Sequence, residues 1–298
     1  MILLYHRIFP DNTPPNQWSP GPILTLAGFQ RQILWIKRHY KITTMEEYIN
    51  SGKTTNPKKV IALTFDDGFR ETYETIIPFL EEEQIPALIF ASTSHINQDK
   101  LLWFNYLTAL CFERQYSEIE IEGHQHNLHN CTQARKTWNK LLSSYRYSES
   151  PDSIIDDLVT EYPLPLEITS KYEGMTPKQL KHAGENHLIE IGGHTHTHPY
   201  LDKLKRHEKV NEILQNKIML EEFTGRPIKY FAYPSNVYDK ETIEIIKDLG
   251  FEAGFSVEPR KLSIYPGFEI NRVGIYSKSI LKLQMKLMGI EKIRYVFR

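Results

Sequence analysis

The chain has 298 residues, 40% of them apolar and 24% charged, which suits one large α/β domain or two modest ones. A formal net charge of −1 excludes a nucleic-acid binder steered by bulk positive charge, and no run of ~20 apolar residues offers a membrane span. Two cysteines, Cys111 and Cys131, are too few for a disulfide framework and read better as free thiols than as a pair.

The first predicted strand is Ile2–Tyr5, with His6 just past its end. The N-terminus shows no basic start, no apolar run of signal length and no small-residue cleavage site, so the expected location is the cytoplasm. Phe29, Ile33, Ile36 and Tyr40 recur at helical spacing. Val60–Phe65 reads as a buried strand running straight into Asp66-Asp67-Gly68. Two adjacent carboxylates at the end of an apolar strand are costly to bury unless a cation or a proton neutralises one. The alternative is an exposed turn with a helix cap. Gly68 permits the sharp turn into the next helix, marked by Tyr73, Ile76, Ile77 and Leu80. Ala87–Ala91 is the next strand. Residues 98–173 then break the rhythm and read as a helical insertion. It opens on Trp103, Phe104 and Tyr106, which either line a ligand cleft or anchor its first helix. His124, His126 and His129 within it read as a solvated hairpin in preference to a second metal site.

The alternation resumes at Leu188–Ile191, where Gly192-Gly193 lets the backbone turn into His194-Thr195-His196-Thr197-His198. On a helical turn, positions i and i+4 share a face, so His194 and His198 could bind one metal and leave His196 elsewhere. A solvated His-rich loop is the alternative. With the Asp-Asp turn, two imidazoles and a carboxylate make a catalytic-type metal site with open positions; imidazole suits Zn, Co, Ni or Fe. A helix over Lys205–Phe223 stops at Gly225, and strand Lys229–Ala232 leads into Tyr233-Pro234-Ser235-Asn236. Asp239 caps a helix that ends at Gly250. Strands Glu252–Val257 and Glu269–Val273 follow, the second carrying Arg272. Ser279–Arg298 mixes Ile280, Leu281, Leu283, Met285, Leu287 and Met288 with Lys278, Lys282, Lys286, Lys292, Arg294 and Arg298. It reads either as a helix packed on the barrel or as a basic amphipathic helix on anionic lipid. Strand–helix alternation implies parallel strands with crossover helices, and seven strands favour a barrel. His6, Asp66, Asp67, His194, His198, Pro234 and Arg272 all fall near strand C-terminal ends, where parallel barrels build active sites.

With Thr64-Phe65-Asp66-Asp67-Gly68 and His194-Thr195-His196-Thr197-His198 intact, the sequence resembles the polysaccharide deacetylase family, also called the NodB-homology or carbohydrate esterase family 4 domain. The resemblance runs from residue 1 to about 98 and from 174 to about 275. It implies an α/β fold, a distorted (β/α)-barrel of about seven parallel strands, forming one catalytic domain over 1–298 with the insertion at 98–173. It also implies one divalent metal, zinc first, with cobalt, nickel or iron as alternatives. Asp67, His194 and His198 would be its ligands and Asp66 the general base.

Two departures stand out. The family's Arg-x-Pro-Tyr-Gly motif reads Ala232-Tyr233-Pro234-Ser235-Asn236 here. Tyr233, Pro234 and Ser235 are then the expected oxyanion and substrate residues, the Ser235 N–H being the oxyanion donor, and Asn236 tolerates the positive φ that Gly would adopt. Ala232 cannot replace the arginine that orients the base. Arg272 could reach in from another direction; its alternative is a surface ion pair. The C-terminal Leu-x-His that supplies the general acid is absent. Instead Leu3-Leu4-Tyr5-His6 resembles the N-terminal motif of the rearranged branch that includes poly-N-acetylglucosamine deacetylases, which makes His6 the acid; a structural His capping the strand is the alternative. The implied reaction is metal-dependent hydrolysis of an N-acetyl group on an amino sugar in a polysaccharide or its precursor. The expected partner is that N-acetylated glycan or precursor, with no nucleic acid and at most weak membrane-surface association. Rival readings are a deformylase or O-acetyl esterase on a lipid-linked sugar, and a non-catalytic sugar-binding relic.

Overall fold

Short apolar runs bounded by Gly, Pro or charge become strands because they are too short to bury a helical face. The computed structural model describes residues 1–13, 19–51, 60–96, 100–121, 123–148, 151–257 and 265–289. The chain divides into two compact units: Met1–Asp11, Ile23–Asn97 and Gly174–Ile293 form the first, and Asn12–Pro22, Gln98–Glu173 and Arg294–Arg298 the second.

In chain order the first unit carries β1 (Ile2–Tyr5), α1 (Leu26–His39), β2 (Lys41–Ile42), α2 (Met45–Ser51), β3 (Val60–Phe65), a π-helical turn Thr72–Ile76 running into α3 (Ile77–Glu82), and β4 (Ala87–Ala91). The second unit holds α4 (Trp103–Phe112), β5 (Glu118–Ile121), β6 (His124–Asn127), α5 (Cys131–Tyr147), α6 (Pro151–Glu161) and α7 (Leu166–Thr169). The first unit resumes with α8 (Pro177–Glu185), β7 (Ile189–Gly193), α9 (Arg206–Thr224), β8 (Tyr230–Ala232), α10 (Lys240–Asp248), β9 (Ala253–Val257), β10 (Ile270–Gly274) and α11 (Ile280–Leu287).

Seven parallel strands close a barrel in the order β1-β10-β9-β8-β7-β4-β3 and back to β1. β1 is the closing strand: Leu4 lies in register with Gly274 on one side and Thr64 on the other. β2 pairs with the first two residues of β3. Side chains alternate across each strand, so one set fills the barrel and the other faces the helices. The inner set, Ile2, Ala62, Leu88, Phe90, Tyr230, Ala232, Ala253 and Phe255, makes one cluster with Met45 of α2. Glu190 holds α2 there by accepting from Met45 N at 2.9 Å. The outer set, including Leu3, Leu63, Phe65, Ile89, Ile191 and Phe231, packs on Phe29, Ile33, Leu80, Leu180, Ile213 and Ile246 of the helices. Asp239 caps α10 through Thr242 N, and α9 ends at Gly225 with φ 67°, as its sequence predicts.

In the second unit, β5 and β6 form an antiparallel hairpin that places His124 and His126 at the surface, with Lys140 Nζ 3.0 Å from His126 Nε2. Among the described residues no metal-ligand cluster forms there. Trp103 stacks on Tyr145 with centroids 3.9 Å apart, and the buried Tyr106 donates to Leu158 O at 2.6 Å. These two aromatics therefore anchor the unit's own interior. Cys111 and Cys131 are both free.

Gly192 and Gly193 depart from the expected turn: they are the last residues of β7. A Cβ on Gly192 would lie 2.6 Å from the Phe90 ring and 3.0 Å from Tyr230 O, so close packing inside the barrel is what demands glycine. Gly192→Ala is expected to lower stability by about 1–3 kcal/mol through overpacking. A urea midpoint equal to that of the unsubstituted chain would contradict this account of the strand end.

Candidate active site

The site lies where β3 and β7 end. Asp66 and Asp67 follow β3, and His194 and His198 follow β7; all four are buried. One carboxylate oxygen of Asp67 and one nitrogen each of His194 and His198 lie within 4.8 Å of one another. Asp67 Oδ1 is 3.5 Å from His194 Nε2 and 3.6 Å from His198 Nε2. Tetrahedral ligands bound 2.0–2.1 Å from a zinc-sized ion sit about 3.4 Å apart, so the spacing fits a divalent cation.

The two histidines do not meet on a helical turn. Residues 194–198 are an irregular loop in which Thr195 (φ 63°) and His198 (φ 60°) are left-handed. Such backbone costs of order 1–3 kcal/mol per residue and persists only where its surroundings hold it. The Thr195 hydroxyl accepts from His198 N at 3.1 Å and donates to His194 O at 2.6 Å. From α9, the Glu212 carboxylate accepts from both Thr197 N and Thr197 Oγ1 at 2.8 Å. Asn216, fully buried on the same helix, accepts from His194 N at 3.0 Å and donates to Ala91 O at 2.9 Å, tying the ends of β7 and β4 together. His196 is turned away, with Nδ1 2.9 Å from Thr93 Oγ1.

His194 Nδ1 donates to Ala232 O at 2.8 Å. With that nitrogen carrying the proton, Nε2 keeps its lone pair towards Asp67, the arrangement a metal-ligating imidazole requires. At the position where the family pattern has arginine, Ala232 thus contributes its carbonyl. Asp67 is itself left-handed at φ 75°, and its carbonyl accepts from His95 Nε2 at 3.0 Å. His95 is buried against Gly174, whose missing Cβ makes room for the ring.

Arg272 is 1% exposed and grips Asp66 with both arms, Nη1 to Oδ1 at 2.6 Å and Nη2 to Oδ2 at 2.8 Å. Its guanidinium lies 5.0 Å from the Phe90 ring centroid. It therefore occupies the barrel interior, opposite in character to a surface ion pair. Burial pushes the Asp66 carboxyl up, but the charges of Arg272 and His194 outweigh it and leave the group below the usual range. Before a cation is bound, burial likewise raises Asp67, and a hydrogen bond from the doubly protonated form of His194 with the positive potential of the surrounding imidazoles more than reverses it. Burial and the neighbouring His194 push His198 down to about 3. His194 is lowered by burial and raised further by the two carboxylates. Arg272 neutralises one of the two buried carboxylates. The other, Asp67, faces two imidazole nitrogens, and a divalent cation is the partner that this donor set fits.

The remaining expected residues divide. His6, past β1, is half-buried, stacks on Tyr276 and adds its charge to the field at both aspartates. Ser235 (φ 52°) and Asn236 (φ 57°) are both left-handed, and Asn236 Oδ1 accepts from Val257 N at 2.7 Å. Pro234 is buried and Ser235 exposed. Tyr233 is not brought to the site: its ring stacks on Tyr238 at 3.9 Å, it is 1% exposed, and its hydroxyl donates to Phe268 O at 2.7 Å, which takes its side chain out of reach of a substrate. His95, Asn216, Glu212 and Thr195 were not legible as site residues. Thr195, inside the histidine motif, and His95, four residues past the end of β4, carried a positional signal; Asn216 and Glu212 carried none.

A family profile described as polysaccharide deacetylase matches residues 53–160 and 154–254, which spans both aspartates and both histidines; His6 and Arg272 lie outside it. A poly-beta-1,6-N-acetyl-D-glucosamine N-deacetylase of Staphylococcus aureus is 31% identical over 136 residues, 44% of this chain and 44% of that protein. Its namesake in Staphylococcus epidermidis is 31% identical over 133 residues, 43% of this chain and 45% of that protein. The match thus spans under half the length of these curated relatives. Among solved structures, IcaB from Ammonifex degensii has a TM-score of 0.62 at 17% identity, covering 96% of both chains. Streptococcus pyogenes deacetylase PplD in complex with acetate has a TM-score of 0.60 at 19% identity, covering 95% of this chain and 96% of that one. At these identities the likeness is one of fold.

The Arg272–Asp66 pair makes stability depend on pH in metal-stripped protein. Asp66 sits below its unfolded value, so its contribution is present above the unfolded carboxylate pKa of about 3.9 and is lost as pH falls through the lower native value. Arg272→Met leaves the carboxylate buried without a partner, at an expected cost of about 3–5 kcal/mol at pH 7. The cost should shrink near pH 3, where burial keeps Asp66 protonated. Urea melts showing the same loss at both pH values would sink this assignment.

Proposed function

The chain belongs to the polysaccharide deacetylase family, and from that premise we propose that it hydrolyses the N-acetyl group of an amino sugar, using one divalent metal ion held by Asp67, His194 and His198. What carries the proposal is the juxtaposition at the end of β3: one carboxylate facing two imidazoles, and the adjacent carboxylate held ionised by a buried arginine. Zinc suits the donor set best, with cobalt, nickel or iron as substitutes.

When bound, the cation acidifies the attacking water and polarises the acyl oxygen. Asp66 takes the proton from that water as general base. Its depressed pKa keeps it ionised at neutral pH and so able to accept that proton. Arg272 keeps the carboxylate oriented by its two-armed grip, the role left open by Ala232. The Ser235 N–H, in a left-handed turn past β8, is the proposed donor to the developing oxyanion. His6 protonates the leaving amine. Ionised Asp66 beside an intact ligand set favours a working enzyme over a sugar-binding relic, because a relic needs neither.

The sugar is N-acetylglucosamine, either in a β-1,6-linked polymer or in its precursor; the names of the Staphylococcus relatives support the sugar. The proposed setting is cytoplasmic, on a nucleotide- or lipid-linked precursor. Among the described residues no helix is long and apolar enough to cross a membrane. Weak membrane-surface association is supported by α11, where Leu281 is 65% exposed beside Lys282, while Leu283 is buried on the other face. Lys292, Arg294 and Arg298 lie outside the described residues.

Purified protein should release acetate from N-acetylglucosamine oligomers and lose that activity to a chelator. His194→Ala and His198→Ala should lose metal, and retention of wild-type metal affinity would refute the ligand assignment. Asp66→Asn should keep metal while turnover falls ~100-fold or more. Formate release, or acetate release only from O-acetyl esters, would move the reaction to one of the rival deacylations. Fractionation followed by a comparison of lipid-linked precursor with insoluble polymer tests the setting: recovery away from the membrane with preference for polymer contradicts it.

A further inference from the structure

β1 and β10 are neighbours in the barrel, with Leu4 in register with Gly274 and Ile275 N donating to Leu4 O at 2.8 Å. Two residues beyond that register point, His6 and Tyr276 therefore emerge side by side above the same strand ends. Their rings stack, with centroids 5.7 Å apart and planes inclined at 28°. The Tyr276 ring lies against the backbone of Gly274, where a Cβ would come within 2.5 Å of it. Lys286 of α11 donates to Gly274 O at 2.5 Å and places its ammonium 5.9 Å from the centroid of the same ring. The segment after Tyr276 is pinned by Gln32 of α1, which donates to Ser277 O at 2.5 Å. The ring is thus braced by a strand, by α11 and by a tether to α1, and His6 leans on it.

We infer that Tyr276 is a positioning residue for His6: its braced ring holds the imidazole over Asp66 and Asp67, at the height where a leaving amine must receive its proton. This rests on the proposal that His6 is the general acid. The face that stacks on His6 is closed to a sugar, which separates this role from that of a substrate platform on that face. The ring is what positions; the hydroxyl is not needed.

A leaving-group comparison tests the inference. An amide releases a poor leaving group that needs the acid, whereas 4-nitrophenyl acetate releases a good one that does not. Tyr276→Leu should lower turnover on N-acetylglucosamine oligomers about 10-fold, part of the 100-fold or more available to acid catalysis, and change turnover on the ester by less than about 2-fold. Tyr276→Phe should keep both activities. Tyr276→Leu should cost nothing further in a His6→Ala background, since the acid is already gone. If Tyr276→Leu melts early, Tyr276→Gln carries the same comparison. An unchanged amide-to-ester ratio in the ring-less variant, or equal loss with and without His6, overturns the role of Tyr276 alone. An unchanged amide turnover in His6→Ala overturns the acid assignment and this inference with it.

Discussion

The rest of the site depends on placing two adjacent carboxylates in the interior at the end of β3. Burial of an ionised carboxylate without a partner is prohibitive, and two in sequence repel one another as well. The structure resolves this by giving the two aspartates different partners. Asp66 takes Arg272, which rises inside the barrel and spends both its arms on one carboxylate. Asp67 takes His194 and His198, and with them the means to hold a cation. The same separation leaves the two carboxylates in different settings, one gripped by an arginine and the other facing two imidazole nitrogens.

Holding that arrangement requires backbone that the chain does not adopt cheaply. Asp67, Thr195, His198, Ser235 and Asn236 are all left-handed, and all lie just past a strand C-terminal end. Each turn is over-determined by its surroundings. His95 secures the Asp67 carbonyl, Glu212 and Asn216 reach from α9 to the histidine loop, and the Asn236 side chain ties its turn to Val257 N. The strain is confined to the loops, while the strands beneath are regular and largely buried. A rigid barrel carrying strained, well-tethered loops is the physical form that preorganisation takes here.

Barrel closure explains how the chain tolerates two departures from the family pattern. β1 pairs with both β3 and β10, so the first strand lies beside the strand that ends in the aspartates and the last strand lies one place further round. His6 at the start of the chain and Arg272 near its end therefore emerge from neighbouring strands. Arg272 is two strands from Asp66 around the ring, but the barrel is narrow and a guanidinium spans its interior.

Local pattern located the barrel strands to within one or two residues, the capped helix ends and the aspartate and histidine motifs. Local pattern sufficed because buried parallel strands read as short apolar runs and because the chemistry sits at their ends. Other features were decided only by tertiary structure. Gly192 looked like a turn and is a packing contact with Phe90, a residue 102 positions away. His194 and His198 meet on an irregular loop where helical spacing suggested a turn of helix, because α9 holds that loop from outside. Tyr233 left the site for the core. Asn216 and His95 carried no motif, since what defines them is the neighbour they reach across the fold. Arg272 could be named from sequence as a candidate, but whether it faced solvent or Asp66 depended on which side of β10 turned inward, and strand register in the closed ring settles that.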